Sequence, residues 1–330
     1  MLKMILNEIR LIFHIEAIGP ILIKDGETDE ERKIRKEREE GQSSPDMRFV
    51  VDTNNRIFIP GSSIRGVWRS WCEKIARTIS EGVPLACDPF SDSESCSKRL
   101  EKQSPDKVYA LSCPICKLFG NTSQGSRIRI SDAYIIGADI NRRNLPIRDG
   151  IGIDRFTGGA SSGAKFRYQY LTGKIFKTEV YIRNFELWQL GLLGYLFRDF
   201  EEELVPIGFG KTRGLGKIKG TVEDTNIAFY GLNQPKVNET NKKAQILGIG
   251  HLYKDADKDN YSFATEPPLE DIEFSSAIKT AINTTITLTG KQVKDVLTKV
   301  ANYWAAGKDA GYYIVAQGSR NKILGVKRDA

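Results

Sequence analysis

The stretch GFGKTRGLGKIKG, residues 208–220, decides how the chain is interpreted, because it combines five glycines with four cationic side chains. It follows a long apolar segment and leads into β-branched residues, so it predicts a glycine-rich loop between a helix and a strand. Glycines let a polyanion approach backbone N–H groups, and cations neutralise phosphates. The loop is therefore predicted to bind phosphates.

A nucleoside triphosphate site is the first alternative for this loop, since Gly210, Lys211 and Thr212 resemble the end of a phosphate loop. The position that requires the first glycine of that motif holds Val205. The apolar helix also precedes the loop, whereas a phosphate loop opens a helix whose N-terminus faces the ligand. Both observations argue against a triphosphate site. A tight turn without a ligand stays open as the other alternative.

Hydrophobic periodicity around the loop predicts alternating strands and helices. The apolar segment 185–204 predicts an amphipathic or buried helix, and 291–304 a further helix. The other predicted elements are strands over 9–18, 126–136, 175–184, 216–224 and 311–318, a protruding hairpin over 150–171, and a helix that begins at the cap residues Ser62 or Ser63 and runs to residue 82. This order predicts an α+β fold compatible with a ferredoxin-like core.

The bulk composition predicts a globular chain of 330 residues, with 40% hydrophobic residues and a net charge of +7. The charge is compatible with a nucleic-acid groove, and cations concentrate in residues 142–175 as well as 208–220. The mixed-charge run 25–40 predicts a solvated helix or loop. The sequence shows neither an apolar run of membrane-spanning length nor a secretory signal, so a cytoplasmic location is expected.

Four of the five cysteines, Cys87, Cys96, Cys113 and Cys116, fall in the weakly periodic segment 83–120. Four thiolates form a closed tetrahedral zinc site of the structural type, which suits a segment with few apolar residues. A redox Cys-x-x-Cys pair and plain cysteines are the alternatives. Cys72 lies beside Trp71 on a predicted helix and is expected in the core.

Five stretches follow one another along the chain: IPGSSIRGVWRSW (59–71), CPICKLFGN (113–121), RIRISDA (127–133), GIGIDRFTGGASSGAKF (150–166) and GFGKTRGLGKIKG (208–220). In this order they resemble the RAMP superfamily of CRISPR proteins, and more closely the Cas-seven type backbone subunits of type III effector complexes. The resemblance covers roughly residues 5–222.

The resemblance implies a modified ferredoxin-like (RRM-like) core over residues 1–230. Its insertions would be a charged loop (25–45), a zinc-finger-like segment (83–120) and a β-hairpin thumb (146–170), and residues 231–330 would form a C-terminal elaboration. It implies stacking along a guide RNA, so the expected partners are guide RNA, complementary target RNA and other subunits of the complex. The implied RNA contacts are Ser62, Ser63, Arg65 and Arg69 at the GSSIRG motif, Arg155, Phe156, Thr157 and Lys165 in the thumb, and Lys211, Arg213 and Lys217 in the glycine-rich loop.

The resemblance also implies cleavage of target RNA by a loop aspartate with Mg²⁺ or another divalent cation. Asp46 occupies the matching place, and Asp25 is the second candidate. Two alternatives remain open. The subunit is either a scaffold without catalysis, or a metal-independent endonuclease that processes guide RNA with His14 as its general base.

Overall fold

The central strand β1 (Asn7–Glu16) organises the sheet, because it pairs along its length with strands on both sides. Its neighbours are β7 (Ile175–Arg183) and β8 (Lys219–Tyr230), and both run antiparallel to it. The computed structural model describes residues 4–38, 44–79, 85–253 and 261–305.

The main sheet has the order β12-β13-β8-β1-β7-β4-β2, and β3 also pairs with β7. The remaining strands of this sheet are β2 (Phe58–Ile59), β3 (Ile128–Ile130), β4 (Ala133–Ile135), β12 (Ser276–Lys279) and β13 (Asn283–Leu288). A three-stranded sheet contains β9 (Val237–Asn238), β10 (Lys243–Ile246) and β11 (Leu269–Glu273). Strands β5 (Ile147–Ile153) and β6 (Ala160–Gln169) form a separate hairpin.

Eight α-helices occur within the described ranges. They are α1 (Asp29–Arg38), α2 (Gly61–Thr78), α3 (Cys96–Arg99), α4 (Pro105–Leu111), α5 (Pro114–Phe119), α6 (Leu187–Glu201), α7 (Ile249–Leu252) and α8 (Lys291–Ala305). Two 3-10 turns, Arg142–Asn144 and Lys211–Arg213, complete the helical segments.

Alternation along β1 separates a covered face of the sheet from an open one. Phe13 points to the covered face, where its ring meets Trp68 of α2 edge-on at a centroid distance of 5.1 Å. Phe197 and Phe200 of α6 pack against the same two rings. The core therefore lies between the sheet and the helices α2 and α6. The alternate residues of β1, which point to the opposite face of the sheet, are less buried.

The C-terminal segments join the core directly. Strand β13 pairs with β8 and extends the main sheet. Helix α8 lies against α6 so closely that a Cβ at Gly191 would come within 2.4 Å of the Val300 carbonyl oxygen. A Cβ at Gly194 would come within 2.7 Å of the Leu297 oxygen. Only glycine permits this approach of two helix backbones.

The structure confirms the α+β class, the first strand, the hairpin and the helices predicted near 185–204 and 291–304. Two details of the sequence prediction are wrong. Ser62 and Ser63 do not cap helix α2, because the cap residue is Pro60, and both serines lie inside the first turn. The strand predicted over 126–136 is broken into β3 and β4 at Ser131 and Asp132. The strand predicted over 311–318 lies outside the described residues.

Candidate nucleic-acid interface

All four glycines from Gly208 to Gly216 adopt left-handed backbone conformations, with φ values of 71° to 95°. A Cβ at Gly208 would lie 2.4 Å from the Leu22 oxygen, and one at Gly216 would lie 2.6 Å from the Ile207 oxygen. The loop is also fastened to the segment after β1, since the Phe209 amide donates to Leu22 and the Gly216 amide to Pro20. The glycines thus fix a close backbone packing, which supports part of the tight-turn interpretation.

The cations of the loop project from this fixed frame. Lys211 and Arg213 lie on an exposed 3-10 turn between two left-handed glycines. Burial and the positive charge of Lys74 lower the pKa of Lys211. Two ammonium groups that repel each other at a partly desolvated surface favour an anion between them. Lys217 instead forms an ion pair with Glu203 at 2.7 Å, although its side chain is 60% exposed.

A cleft of about 640 Å³ separates the glycine-rich loop from the β5–β6 hairpin, and we call it the hairpin cleft. Phe166 and Tyr168 line it from β6 with their rings stacked at 5.8 Å. From the loop side, the Arg213 guanidinium lies 5.3 Å from the centre of the Phe166 ring. Aromatic rings and a guanidinium offer flat surfaces on which unpaired bases stack.

A second cavity of about 210 Å³ continues this surface toward helix α2. Ser63 and Lys24 line it together with Gly208 of the glycine-rich loop. Phe209 lines both this cavity and the hairpin cleft. The structure therefore brings the GSSIRG motif, the glycine-rich loop and the hairpin onto one continuous surface.

The other predicted contacts of the GSSIRG motif are partly engaged within the protein. The Arg65 guanidinium donates to the Phe119 carbonyl, and Arg69 donates to the Gly120 carbonyl at 3.1 Å. The Gly61 amide at the start of α2 donates to the Asp132 carboxylate at 2.7 Å. This carboxylate already supplies the negative charge that a helix N-terminus attracts, so the exposed serines remain the available groups.

The hairpin ends in a closed turn that presents an aromatic side chain to solvent. The Asp154 carboxylate accepts hydrogen bonds from the amides of Phe156 and Thr157, and from the Thr157 hydroxyl at 2.9 Å. Thr157 thus holds the turn in shape, while Phe156 is 99% exposed and Arg155 lies beside it in solvent. Lys165 pairs with Asp149 at 3.0 Å lower on the hairpin. An exposed ring on a rigid tip is suited to insertion between bases.

Comparison with known protein families identifies the family of the chain. The family model of the RAMP superfamily matches residues 14–219, which is more than half of the chain. The chain belongs to the RAMP superfamily. Its match includes β1 from His14, the cysteine-rich insertion, the hairpin and the glycine-rich loop. RAMP membership supports a CRISPR-associated role in RNA binding, and no curated protein sequence matches the chain.

In this RAMP protein Asp46 lies at the edge of the hairpin. Its amide donates to the Arg167 carbonyl at 2.8 Å, and its carboxylate accepts from the Arg167 amide at 2.6 Å. The Lys36 ammonium of α1 forms an ion pair with the same carboxylate. Burial raises the pKa of Asp46, but the hydrogen bonds from Lys36 and Arg167 outweigh it and leave the pKa below its usual value.

The second candidate, Asp25, has different surroundings. Its side chain is 19% exposed, and burial together with the charge of Glu27 raises its pKa, while Arg142 at 3.5 Å acts in the opposite direction. Within the described ranges, neither aspartate belongs to a group of three or more side chains that could hold a metal. Both carboxylate oxygens of Asp46 already accept from protein donors, so a divalent ion there would compete with the Lys36 ammonium.

His14 lies on the open face of the RAMP sheet. Its Nδ1 atom is 3.4 Å from a Glu223 carboxylate oxygen, and its side chain is 25% exposed. The cleft-lining side chains are on the hairpin and the glycine-rich loop, and His14 is not among them. The position therefore gives no support to a general base beside bound RNA at the hairpin cleft.

The four cysteines of the insertion converge, although three short helices and their connecting turns carry them. The sulfur atoms of Cys87, Cys96, Cys113 and Cys116 all lie within 4.8 Å of one another, and Cys87 and Cys116 are 3.7 Å apart. Sulfurs placed tetrahedrally at 2.3 Å from a zinc ion would be about 3.8 Å apart. The donor set and its spacing therefore fit a four-sulfur metal site.

Donors around the cluster suit negatively charged sulfur. The Cys113 amide donates to the Cys96 sulfur at 3.3 Å, and guanidiniums of Arg69 and Arg99 approach Cys116 and Cys96 at 3.6 and 3.7 Å. Hydrogen bonds from Cys113 and Cys116 lower the pKa of Cys87 to about 6, whereas hydrogen bonds within the same cluster and burial raise the pKa of Cys113. Two cationic groups would balance the net double negative charge of a zinc ion with four thiolates.

Three aromatic residues at the cleft were not predicted from the sequence as RNA contacts, because the predicted contacts were assigned to the motifs and to cations. They are Phe166, Tyr168 and Phe209. The signal was present as alternation of aromatic and cationic residues in KFRYQY, residues 165–170. On a strand this pattern places Phe166 and Tyr168 on one face.

Proposed function

We propose that this RAMP protein is a guide-RNA-binding backbone subunit of a type III CRISPR effector complex, of the Cas-seven type. The observation that carries the proposal is the hairpin cleft, in which Phe166 stacks on Tyr168 and faces the Arg213 guanidinium. Single-stranded RNA fits such a cleft because bases stack on the rings while cations contact the backbone. The predicted partners are guide RNA, complementary target RNA and neighbouring subunits.

The test measures the affinity of the full chain for fluorescently labelled single-stranded RNA. Phe166→Ala and Arg213→Gln are each expected to weaken binding about tenfold, since loss of one stacking contact costs about 1–3 kcal/mol. Lys243→Gln is the control, because this lysine is on the three-stranded sheet and pairs with Asp271. Equal affinity of all four proteins would contradict the proposal. Sequencing of co-purified RNA then tests whether it is guide RNA.

Cleavage of target RNA at Asp46 is the second candidate function. One observation favours it. The Asp46 carboxylate accepts a hydrogen bond from the amide of Arg167, which lies on β6 between the cleft-lining residues Phe166 and Tyr168. The bound Lys36 opposes it, since a carboxylate held by an ammonium is not free to bind a metal. In a reconstituted complex with Mg²⁺, Asp46→Asn would abolish cleavage at this subunit and leave guide binding intact. Unchanged cleavage, or no cleavage by the unaltered complex, would exclude this role.

The remaining alternatives make separate predictions. A scaffold subunit shows no cleavage at any concentration of divalent cation. A guide-processing nuclease cleaves precursor RNA in the presence of a chelator and loses that activity in His14→Ala. Both reactions are read by electrophoresis of end-labelled RNA.

We also propose that the four-cysteine cluster binds structural zinc. Convergence of four sulfurs supports a closed metal site over a redox pair, which needs only Cys113 and Cys116. Elemental analysis is expected to find about one zinc ion per chain. Folded protein that contains no metal would refute this assignment.

A further inference from the structure

Helix α1 is attached to the protein through charged side chains. The structure describes all ten of its residues, and none of them is buried. Arg32, Arg35 and Lys36 have the spacing i, i+3 and i+4 of one helix face. Arg35 pairs with Glu27, Lys36 pairs with Asp46, and the charge of Arg32 also favours the ionised form of Asp46. A surface helix usually turns an apolar stripe inward, whereas α1 turns a stripe of cations toward two carboxylates.

The sequence of α1 stabilises the helix without an apolar core. The Thr28 amide donates to the Glu31 carboxylate at 2.8 Å, and the Glu31 amide donates to the Thr28 hydroxyl at 3.2 Å. This reciprocal pair is a capping box. Acidic residues occupy the first turn and basic residues the last turn, as the helix dipole favours. The helix therefore does not depend on any one of its contacts with neighbouring segments.

Two of those contacts differ in strength. The Arg35 guanidinium donates to both carboxylate oxygens of Glu27, at 2.7 and 2.8 Å, and the two side chains are only 11% and 15% exposed. Such a bidentate pair is strong and anchors the helix. The Lys36 ammonium pairs with one oxygen of Asp46, and the Lys36 side chain is 47% exposed. Because exposed ion pairs are weak and screened by salt, Lys36 can change its partner while Arg35 holds the helix.

The segment that carries α1 begins and ends on the candidate RNA surface. Before the helix, Lys24 lines the cavity beside α2. After the helix, the Asp46 carboxylate accepts from the amide of Arg167, which lies on β6 between the two stacking residues of the hairpin cleft. The Lys36 ammonium is therefore close to the strand on which RNA is proposed to stack. A phosphate of that RNA would compete with Asp46 for the ammonium.

We propose that Lys36 is a latch that pairs with Asp46 in the free protein and transfers to a phosphate of RNA bound along the hairpin cleft. This inference rests on the proposed RNA binding in the cleft and deepens it. The exchange adds Lys36 to the RNA contacts, although neither the sequence motifs nor the cavity linings include it. It also uncovers one carboxylate oxygen of Asp46 only when RNA is present. A divalent cation would then meet the competing ammonium in the free protein but not in the complex.

The latch predicts effects of opposite sign for its two partners. Because the ion pair exists only in the free protein, its carboxylate competes with RNA, and Asp46→Asn should strengthen RNA binding about two- to fivefold. Lys36→Gln removes a phosphate contact and should weaken RNA binding. It should also reduce the slope of log affinity against log salt by about 0.7. An ion pair that serves only the fold would leave both affinities unchanged.

The experiment measures the binding of fluorescently labelled single-stranded RNA to full chains that carry Asp46→Asn, Lys36→Gln or both. In the double variant, Asp46→Asn should no longer strengthen binding, because no ammonium is left to release. Lys33→Gln is the matched control, since it removes the same charge from an exposed position of α1 that lies off the stripe. The exposed Asp92→Asn is the control for loss of a carboxylate. Thermal melts check that all variants fold.

Chemical footprinting follows the latch directly. Acetic anhydride modifies accessible amines, and mass spectrometry compares the modification of Lys36 with that of Lys33 in each sample. RNA should protect Lys36 more than Lys33. Without RNA, Lys36 should react faster in Asp46→Asn than in the unaltered chain, because the carboxylate no longer holds its ammonium.

Two results would overturn the latch. Equal RNA affinities of Lys36→Gln and Lys33→Gln would show that Lys36 does not contact the RNA. A gain from Asp46→Asn that persists in the double variant would assign the effect to repulsion between the carboxylate and RNA. In both cases the proposed function stands as long as Phe166→Ala weakens RNA binding. Failure of the proposed function appears separately, as an RNA affinity that Phe166→Ala leaves unchanged.

Discussion

At the scale of single residues, Asp25 and Asp46 show how neighbouring contacts give two loop aspartates opposite properties. Asp25 is mostly buried and lies near the carboxylate of Glu27, whereas Asp46 receives hydrogen bonds from an ammonium and an amide. The sequence could not distinguish them, because these partners come from α1, the hairpin and the turn at residue 142.

The first prediction concerns Asp25→Asn, which is expected to raise the melting temperature at pH 7. The folded pKa of Asp25 lies above its unfolded value, so its contribution to stability is full below the unfolded pKa and is lost as pH rises through the folded pKa. The gain should therefore fade below about pH 4, where both states are protonated. Thermal melts from pH 3 to pH 8 measure it, and no gain at pH 7 would contradict the burial argument.

The second prediction is that Asp46→Asn lowers stability at pH 7 by about 1–3 kcal/mol, since hydrogen bonds to a charged group are lost. The folded pKa of Asp46 lies below its unfolded value, so its stabilisation is present above the unfolded pKa and is lost as pH falls through the folded pKa. The cost of the substitution should shrink in acid, as the gain from Asp25→Asn does, but the two effects have opposite signs. The exposed Asp92→Asn is the control in denaturant titrations.

The third prediction concerns Gly150→Ala, which should weaken RNA binding severalfold with little change in folding. A Cβ at this position would lie 2.2 Å from the Phe166 ring, so the ring must leave its place in the hairpin cleft. Gly26→Ala is the matched control, because a Cβ there meets nothing within 4 Å and Gly26 lines neither the hairpin cleft nor the cavity beside α2. RNA anisotropy measures both variants, and equal affinities would show that the position of Phe166 is unimportant.

At the scale of elements, the cysteine-rich insertion depends on its cluster. Its helices α3, α4 and α5 have four, seven and six residues, too few to be stable alone in water. Arg65 and Arg69 of α2 donate to carbonyls that directly follow the cluster, so the insertion is coupled to the GSSIRG helix. Loss of a metal would therefore loosen both.

The fourth prediction is that Cys116→Ser, or a strong chelator, removes the metal and lowers the melting temperature by several degrees, because metal binding supplies folding energy. Cys72→Ala is the control, since Cys72 is fully buried in the core and lies outside the cluster. It should lower stability but retain about one zinc per chain. Metal content and melting curves of the same samples distinguish the two effects, and an unchanged melt after chelation would exclude a structural metal.

Elements with strong periodicity could be predicted from the sequence, and irregular ones could not. Strand β1 and helix α6 carry long apolar patterns, and both appear close to the expected bounds. The break between β3 and β4 has no local signal, because Asp132 turns there to accept from Gly61 about seventy residues away. In the same way, a cavity of about 460 Å³ is lined by residues near positions 4, 124 and 262, which no local pattern connects.

At the scale of the whole molecule, the net charge of +7 is modest, so RNA binding depends on where the cations lie. Arg213 of the glycine-rich loop lines the hairpin cleft, and Lys211 lies on the same exposed 3-10 turn. Within the described residues no helix has the length and apolarity needed to cross a membrane.

The fifth prediction is that Lys211→Gln reduces the salt dependence of RNA binding. Each phosphate contact contributes about 0.7 to the slope of log affinity against log salt for single strands. The slope should fall by about this amount for every RNA sequence tested, while Lys243→Gln leaves it unchanged. Binding curves between about 50 and 300 mM salt measure the slopes. Identical slopes would place Lys211 away from the RNA.

The close contact between α6 and α8 has a consequence for synthesis of the chain. Gly191 and its partner Val300 are separated by about one hundred residues, which a ribosome adds in roughly 5–20 s. During that interval α6, with twelve buried residues in the finished protein, lacks the helix that covers it. The nascent chain thus exposes the apolar surface of α6 during that interval, and the glycine-lined groove on α6 is filled only when α8 emerges.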